Sequence, residues 1–301
     1  MNDEKESTEK DSAERKSETE ALKIKAAAAY EKLDRKEYPE LARRLALFTG
    51  NDADYAADED FSDDYDYCDN TPYNAAHEIM LCDCPKPLPD FISAFVTELM
   101  ESEIRKGNDQ AMNSLGAMHY DGSRGFPQSF DKAVHYYTMA ARQGNSYAQE
   151  NLGYCYYYGR IGEPDYEKAF QFFALGAFKG QLISLYKIGD MYFHGYYVEQ
   201  NLEEAFSIYQ RCREGFKEHT EKRISGPVYL RLAQMCLAGQ GTEQDPAFAL
   251  RYFHKAEEHL FTVVKEGDVM YRKSLEQAIS GAAEARELLR KKLPGDTWDF
   301  D

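Results

Sequence analysis

The chain has 301 residues, of which 43% are hydrophobic and 30% charged, so it is long enough for two ordinary domains or one elongated repeat array. Its net charge of −17 disfavours nucleic acid and anionic lipid as partners, because both need clustered Lys and Arg. That charge would suit a basic protein partner, or would only keep the chain soluble.

Neither export nor membrane insertion is indicated by the sequence. No stretch reaches the ~18 apolar residues that a membrane span needs, and the charged start of the chain does not read as a secretory signal. The six Cys residues have irregular spacings, which do not predict a disulfide framework. We therefore expect a cytoplasmic protein.

Residues 1–50 form a charged N-terminal segment that we expect to fold as one or two helices. Twelve acidic and eleven basic residues nearly balance its charge. Its apolar positions include Leu22, Leu33, Leu41, Leu45 and Phe48.

Residues 51–72 differ sharply in composition. Nine acidic residues and no Lys or Arg lie between positions 52 and 69, together with Tyr55, Phe61, Tyr65 and Tyr67. Such a run cannot bury itself, so we expect an acidic, aromatic linker. Residues 73–107 follow, with predicted helices over Asn74–Leu81 and Asp90–Lys106 that look like a degenerate leading copy of the repeat described next.

Residues 108–267 contain four segments with the same five features in the same order. A pair of core residues is followed six positions later by a Gly, then by a helix-capping residue, an Ala four positions beyond it, and two bulky residues. The core pairs are Leu115-Gly116, Leu152-Gly153, Ile188-Gly189 and Leu232-Ala233; the Gly residues are Gly122, Gly159, Gly195 and Gly239; the caps are Ser129, Asp165, Asn201 and Asp245. The Ala residues are Ala133, Ala169, Ala205 and Ala249, and the bulky pairs are Tyr136-Tyr137, Phe172-Phe173, Ile208-Tyr209 and Tyr252-Phe253.

Each segment predicts a helical hairpin. Residues four apart, such as Ala148, Leu152 and Tyr156, form one apolar stripe on the first helix. The Gly then ends this helix, and the Ser, Asp or Asn caps the second helix by accepting a hydrogen bond from a free backbone N–H. One hairpin cannot bury its apolar face alone, so the hairpins must stack. The last step between caps is 44 residues instead of 36, and we place the extra residues near 219–226. A polar-backed capping helix is expected over 268–294, followed by a tail at 295–301.

These residues resemble the Sel1-like repeat family, a branch of the tetratricopeptide-like superfamily. The second segment matches the family pattern with Ala148, Leu152-Gly153, Tyr156, Gly159, Asp165, Lys168-Ala169, Phe172-Phe173 and Gly180. The resemblance covers roughly residues 108–260, and the fourth segment departs most, with Ala233 and Cys236. It implies an all-α fold, a right-handed superhelix of stacked helical hairpins (an α-α solenoid), that acts as a scaffold or adaptor for other proteins.

A partner-binding surface is predicted on the first helices, which line the concave side in related arrays. Off the buried stripe lie Glu150, Tyr154, Tyr157, Tyr158, Tyr186, Asp190, Phe193 and His194. Tyr offers a large contact area with little rotamer entropy to lose, which favours binding. Tyr157 and Phe193 could instead pack between repeats, since Tyr120 and Leu237 hold the same place.

Other constellations are weaker. Cys68, His77, Cys82 and Cys84 lie within 17 residues and could ligate zinc, but Cys-x-Cys is tighter than the usual spacing, and free thiols are the alternative. The acidic run lacks the central Gly and terminal Glu of a calcium loop. The scattered His residues and the lack of a phosphate loop or zinc protease motif give catalysis no support.

The sequence therefore predicts a non-catalytic adaptor, without cofactor, that holds a segment of a protein or peptide in a concave groove. One alternative is an acidic inhibitor or immunity-type protein that masks a basic enzyme. Another is an enzyme whose site the sequence does not reveal.

Overall fold

The computed structural model describes residues 2–50, 71–82, 87–217 and 222–292, with side chains described from residue 12 to residue 291 of these ranges. The acidic run at 52–69 and the tail at 295–301 lie outside them. The described ranges are helical, with connecting turns and no strand. Their α-helices are α1 Asn2–Lys32, α2 Pro39–Thr49, α3 Pro72–Leu81, α4 Asp90–Arg105, α5 Asp109–Asp121, α6 Phe130–Arg142, α7 Ser146–Tyr157, α8 Tyr166–Phe178, α9 Leu182–His194, α10 Leu202–Glu214, α11 Lys222–Ala238, α12 Pro246–Lys265 and α13 Arg272–Lys292.

The eight helices expected between residues 108 and 267 are α5 to α12. Each first helix ends at or just before its predicted Gly, which lies in the left-handed region, as at Gly122 (φ 63°) and Gly195 (φ 72°), where a residue with Cβ would be strained. Each second helix begins at its predicted cap, whose side chain accepts a hydrogen bond from a backbone N–H. These caps are Ser129, Asp165, Asn201 and Asp245.

The two helices of a hairpin approach most closely where an aromatic ring lies against a Gly. A Cβ added to Gly153 would come 2.5 Å from a carbon of the Phe173 ring, far inside normal contact. Gly116 with Tyr137 and Gly189 with Tyr209 repeat this arrangement, each at 2.7 Å. The Gly of the core pair is therefore required by the ring that the second helix places upon it.

The chain divides into two compact units, Met1–Ala148 and Gln149–Asp301. In the first unit, α1 and α2 pack on α3 and α4 around one core. That core includes the predicted apolar positions of the N-terminal segment and residues from α3 and α4; among its members are Leu22, Leu33, Leu41, Leu45, Phe48, Ile79 and Phe95. The predicted segments 1–50 and 73–107 thus bury their apolar faces against each other.

In the second unit, the fourth hairpin is longer than the others. α11 has 17 residues and α12 has 20, whereas α9 and α10 have 13 each. Part of the extra sequence predicted near 219–226 is thus an added turn of α11. Gly226 on that turn lies against Leu260 of α12, and α13 packs on α12 to close the unit.

None of the described helices combines the length and the apolar character that crossing a membrane requires.

The ring-on-glycine contact predicts a large loss of stability for Gly153→Leu. Overpacking of this kind costs about 1–3 kcal/mol or more, because the Phe173 ring must move. Asp165→Ala, which removes one cap bond of 3.0 Å from the Lys168 N–H, should cost less. Urea unfolding of both variants checks the order. A larger loss for Asp165→Ala would refute these assigned roles.

Candidate functional site

The first helices of the second, third and fourth hairpins, α7, α9 and α11, bring most of the predicted surface residues together. α9 contacts α11, and Ser184 of α9 donates a hydrogen bond to Glu150 of α7. The first helices α7, α9 and α11 thus lie next to one another in chain order, so that residues about 36 positions apart in sequence become neighbours.

At the centre lies the ammonium group of Lys187, surrounded by four tyrosine rings. Its Nζ is 5.2–5.9 Å from the ring centroids of Tyr157, Tyr186, Tyr154 and Tyr158. A cation over the face of a tyrosine is attracted by the ring's quadrupole, and the attraction grows when water is excluded. The Lys187 side chain is 12% exposed, so these rings supply much of its surroundings.

The carboxylate of Asp190 holds the charged groups in place. Its Oδ2 lies 3.2 Å from Lys187 Nζ, and its Oδ1 accepts a 2.8 Å hydrogen bond from the Tyr209 hydroxyl. The same Oδ1 is 3.5 Å from Nη2 of Arg231 on α11. The sequence predicts Asp190 on the partner-binding surface, but it is buried. It lies beneath that surface and contacts the side chains of three other residues.

Arg231 is the second cation of the cluster. Its guanidinium lies over the ring of Phe193, with Cζ 4.6 Å from the centroid. Arg231 also interacts with the Tyr186 phenol, whose pKa is raised by burial. With 23% of its side chain exposed, Arg231 is more accessible than Lys187 or Asp190.

Glu150 is also buried, and its carboxyl group contacts the first turn of α9. The cap residue of α9, Gln181, makes no side-chain cap bond. Instead, the Glu150 carboxyl accepts a 3.1 Å hydrogen bond from the Ser184 hydroxyl in the first turn. Burial raises the pKa of Glu150 to about 7, and the hydrogen bonds from Ser184 only partly oppose that rise.

The remaining predicted residues divide by exposure. Tyr158 is 49% exposed and His194 is exposed, so both form the rim of the cluster. Tyr154 and Tyr157 are half-buried, and each ring meets Phe173 edge-on. Tyr157 also contacts Tyr166 and Tyr196, which agrees with the packing role considered for it above.

Sequence reasoning missed Lys187, Arg231 and Tyr209. A signal was present, because Lys187 and Arg231 both stand two residues before the small core residue of their segment, where the first two segments have Ser114 and Asn151. A pair of cations in register on adjacent first helices indicates a shared charged feature. Tyr209 gave no such signal, since its ring already satisfied the packing pattern.

The zinc site that the sequence left open, without favouring it, is covered only in part by the described residues. Cys68 and Cys84 lie outside the described residues. His77 is exposed and stacks on Tyr73, whereas Cys82 is buried and its carbonyl accepts a hydrogen bond from Arg124. Among the described residues, no group of three or more potential metal ligands converges.

Comparison with protein families matches the Sel1 repeat to residues 109–145, 146–180, 182–211 and 227–259. These ranges correspond to the four segments and to the hairpins from α5 to α12. The chain contains four Sel1 repeats. Proteins with Sel1 repeats generally mediate protein–protein interactions. Curated protein sequences gave no match.

Solved structures support the fold of this chain. A Sel1 repeat protein from Oxalobacter formigenes is 21% identical, with a TM-score of 0.50 over 67% of this chain and 78% of that one. A protective antigen of uropathogenic Escherichia coli strains, which displays an SLR fold, is 20% identical, with a TM-score of 0.52 over 76% of this chain. The match spans 49% of the antigen's length. At these identities, the similarity shows the α-solenoid fold of helical hairpins and nothing about partners.

The raised pKa of Glu150 predicts a pH-dependent stability. Because the folded chain holds the proton more tightly than the unfolded chain, this group stabilises the fold fully below about pH 4.5 and loses that contribution as the pH rises to about 7. Glu150→Gln stays neutral and can still accept the Ser184 bond. Its stability relative to the parent should therefore increase by about 2 kcal/mol from about pH 5 to about pH 8.

Urea unfolding at the two pH values measures this difference. Glu163→Gln, at an exposed side chain of the α7–α8 loop, controls for the loss of one negative charge. An equal pH-dependent gain in both variants would show that net charge, and not the burial of Glu150, is the cause.

Proposed function

We propose that this protein is a non-catalytic scaffold or adaptor, which holds a segment of a partner protein in a concave groove along α7, α9 and α11. The observation that carries the proposal is the tyrosine cluster around Lys187, whose rim residues Tyr158 and His194 are exposed. Rigid aromatic rings beside fixed charges are typical of binding hot spots. Three successive hairpins contribute to it, which suits an extended segment.

The fixed geometry of the cluster supports binding over a purely structural role. Tyr158 stacks on Tyr154 with centroids 5.9 Å apart and an interplanar angle of 6°, and Arg160 lies 5.4 Å from the Tyr158 centroid. The ring is thus ordered before any partner arrives, so little conformational entropy remains to be lost on binding.

The alternative, an acidic inhibitor that masks a basic enzyme, depends on charge. Residues 1–148 hold 30 acidic and 17 basic residues, whereas residues 149–301 hold 23 and 19. A basic partner would therefore be attracted mainly to residues 1–148. The tyrosine cluster belongs to residues 149–301, so the two functions would depend on different residues.

Tyr158→Ala tests the proposal more cleanly than a change at Tyr154, whose ring packs on Phe173. We expect Tyr158→Ala to keep its melting temperature within a few degrees and to weaken the identified partner's affinity about tenfold or more. The matched control is Phe178→Ala, which removes a 91% exposed ring from the second helix α8. Partners are identified by affinity capture with the parent chain and then titrated against each purified variant.

Equal binding by Tyr158→Ala and the parent, or an equal loss in Phe178→Ala, would contradict a site on the first helices.

Ionic strength distinguishes the proposed function from charge masking. Binding at the tyrosine cluster should change little between low and physiological salt, since its charges are partly buried and weakly screened. Masking by the acidic excess of residues 1–148 should weaken steeply over the same range. The dissociation constant of the captured partner is measured at both salt concentrations. A steep loss of affinity at physiological salt would favour the inhibitor function.

A further inference from the structure

The charges within the tyrosine cluster do not balance. Two cations, Lys187 and Arg231, share the single carboxylate of Asp190. Asp190 is also committed to the Tyr209 hydroxyl, so its oxygens already serve three donors. Removing charges from water is costly unless each is paired, so a second anion at this place would be stabilised.

Of the two cations, Arg231 is the one with hydrogen-bonding capacity to spare. Lys187 has the 3.2 Å contact to Asp190 and four rings around it. Arg231 reaches Asp190 only at 3.5 Å, interacts with the Tyr186 phenol, and keeps 23% of its side chain exposed. A guanidinium presents its donors as a planar fork that fits the two oxygens of a carboxylate.

Neighbouring groups are consistent with a positive local field. The pKa of His194 is lowered by burial and then by the positive charge of Arg231, which Asp190 only partly offsets. Glu150, another carboxyl in this region, is bonded to Ser184, and burial favours its neutral form. Residues 149–301, to which the cluster belongs, hold 23 acidic and 19 basic residues, so their own acidic excess is small.

We propose that the segment bound at the tyrosine cluster is acidic, with an Asp or Glu side chain that pairs with Arg231 and an adjacent apolar or aromatic side chain that packs on Tyr158. This inference rests on the proposed function and specifies its partner class. It reverses the expectation of a basic partner for this surface, because that expectation came from the net charge of the whole chain.

Selection from a phage-displayed library of random peptides, with the full chain as bait, tests the proposal. The expected result is enrichment of peptides in which Asp or Glu stands near an aromatic or large apolar residue. An enriched peptide is then synthesised with both termini blocked, so that only side-chain carboxylates remain. Its dissociation constant should rise about tenfold or more in Arg231→Gln, as expected for a lost charged hydrogen bond.

Arg251→Gln is the matched control, because the Arg251 guanidinium also lies over a phenylalanine ring, that of Phe248, with Cζ 5.5 Å from its centroid. Binding should be unchanged in that variant. Arg231→Lys, which keeps the charge without the fork, should fall between the parent and Arg231→Gln. Melting temperatures show whether each variant is folded, and the comparison of Arg231→Lys with the parent carries the test if Arg231→Gln unfolds.

The outcomes separate the two proposals. Enriched peptides that need Tyr158 but are neutral or basic, or that bind Arg231→Gln as well as the parent, overturn the acidic segment and leave the proposed function standing. Loss of binding in Arg251→Gln, with Arg231→Gln unaffected, also overturns the acidic-segment proposal, because the peptide then does not bind at Arg231. If no peptide is enriched, or if binding is indifferent to Tyr158→Ala, both proposals fail.

Discussion

The contact between an aromatic ring of a second helix and a Gly of the first helix is the constraint on which the rest depends. In the third hairpin, the Tyr209 ring fills the space where Gly189 lacks a side chain, with 2.7 Å between the ring and an added Cβ. That position also brings the Tyr209 hydroxyl to Asp190, the residue after the Gly. One packing contact therefore sets the spacing of the hairpin and fixes the carboxylate that orients Lys187 and Arg231.

The fourth hairpin shows what happens when this contact changes. Its core pair has Ala233 in place of Gly, and the ring of Phe253 lies instead against Gly281 of α13. The same ring-on-glycine contact is thus made with the following helix. The helix α13 therefore packs on α12 through the kind of contact that the first three hairpins use internally.

Charge in this protein has to be considered by location. A net charge of −17 describes the whole chain, but the balance of charges within one Debye length, ~8 Å at physiological salt, decides what a site attracts. Among the described residues, the two cations of the cluster pair with one carboxylate, that of Asp190. Glu150 shows the same principle, because burial raises its pKa to about 7 within an acidic chain.

The sequence by itself determined the helical hairpins, their turns and caps, and the tyrosine-rich first helices. These features depend on contacts within one segment: Gly122 and Gly195 end helices through their own backbone angles, and Asp165 caps the residues directly after it. Only the tertiary structure decided which surface residues are accessible. Glu150 and Asp190 belong to the same predicted helix face as exposed Tyr158, yet both are buried, because the neighbouring hairpin supplies Ser184 to one and Arg231 to the other. Helical periodicity fixes the direction of a side chain from its own axis, whereas its burial depends on what the next helix places over it.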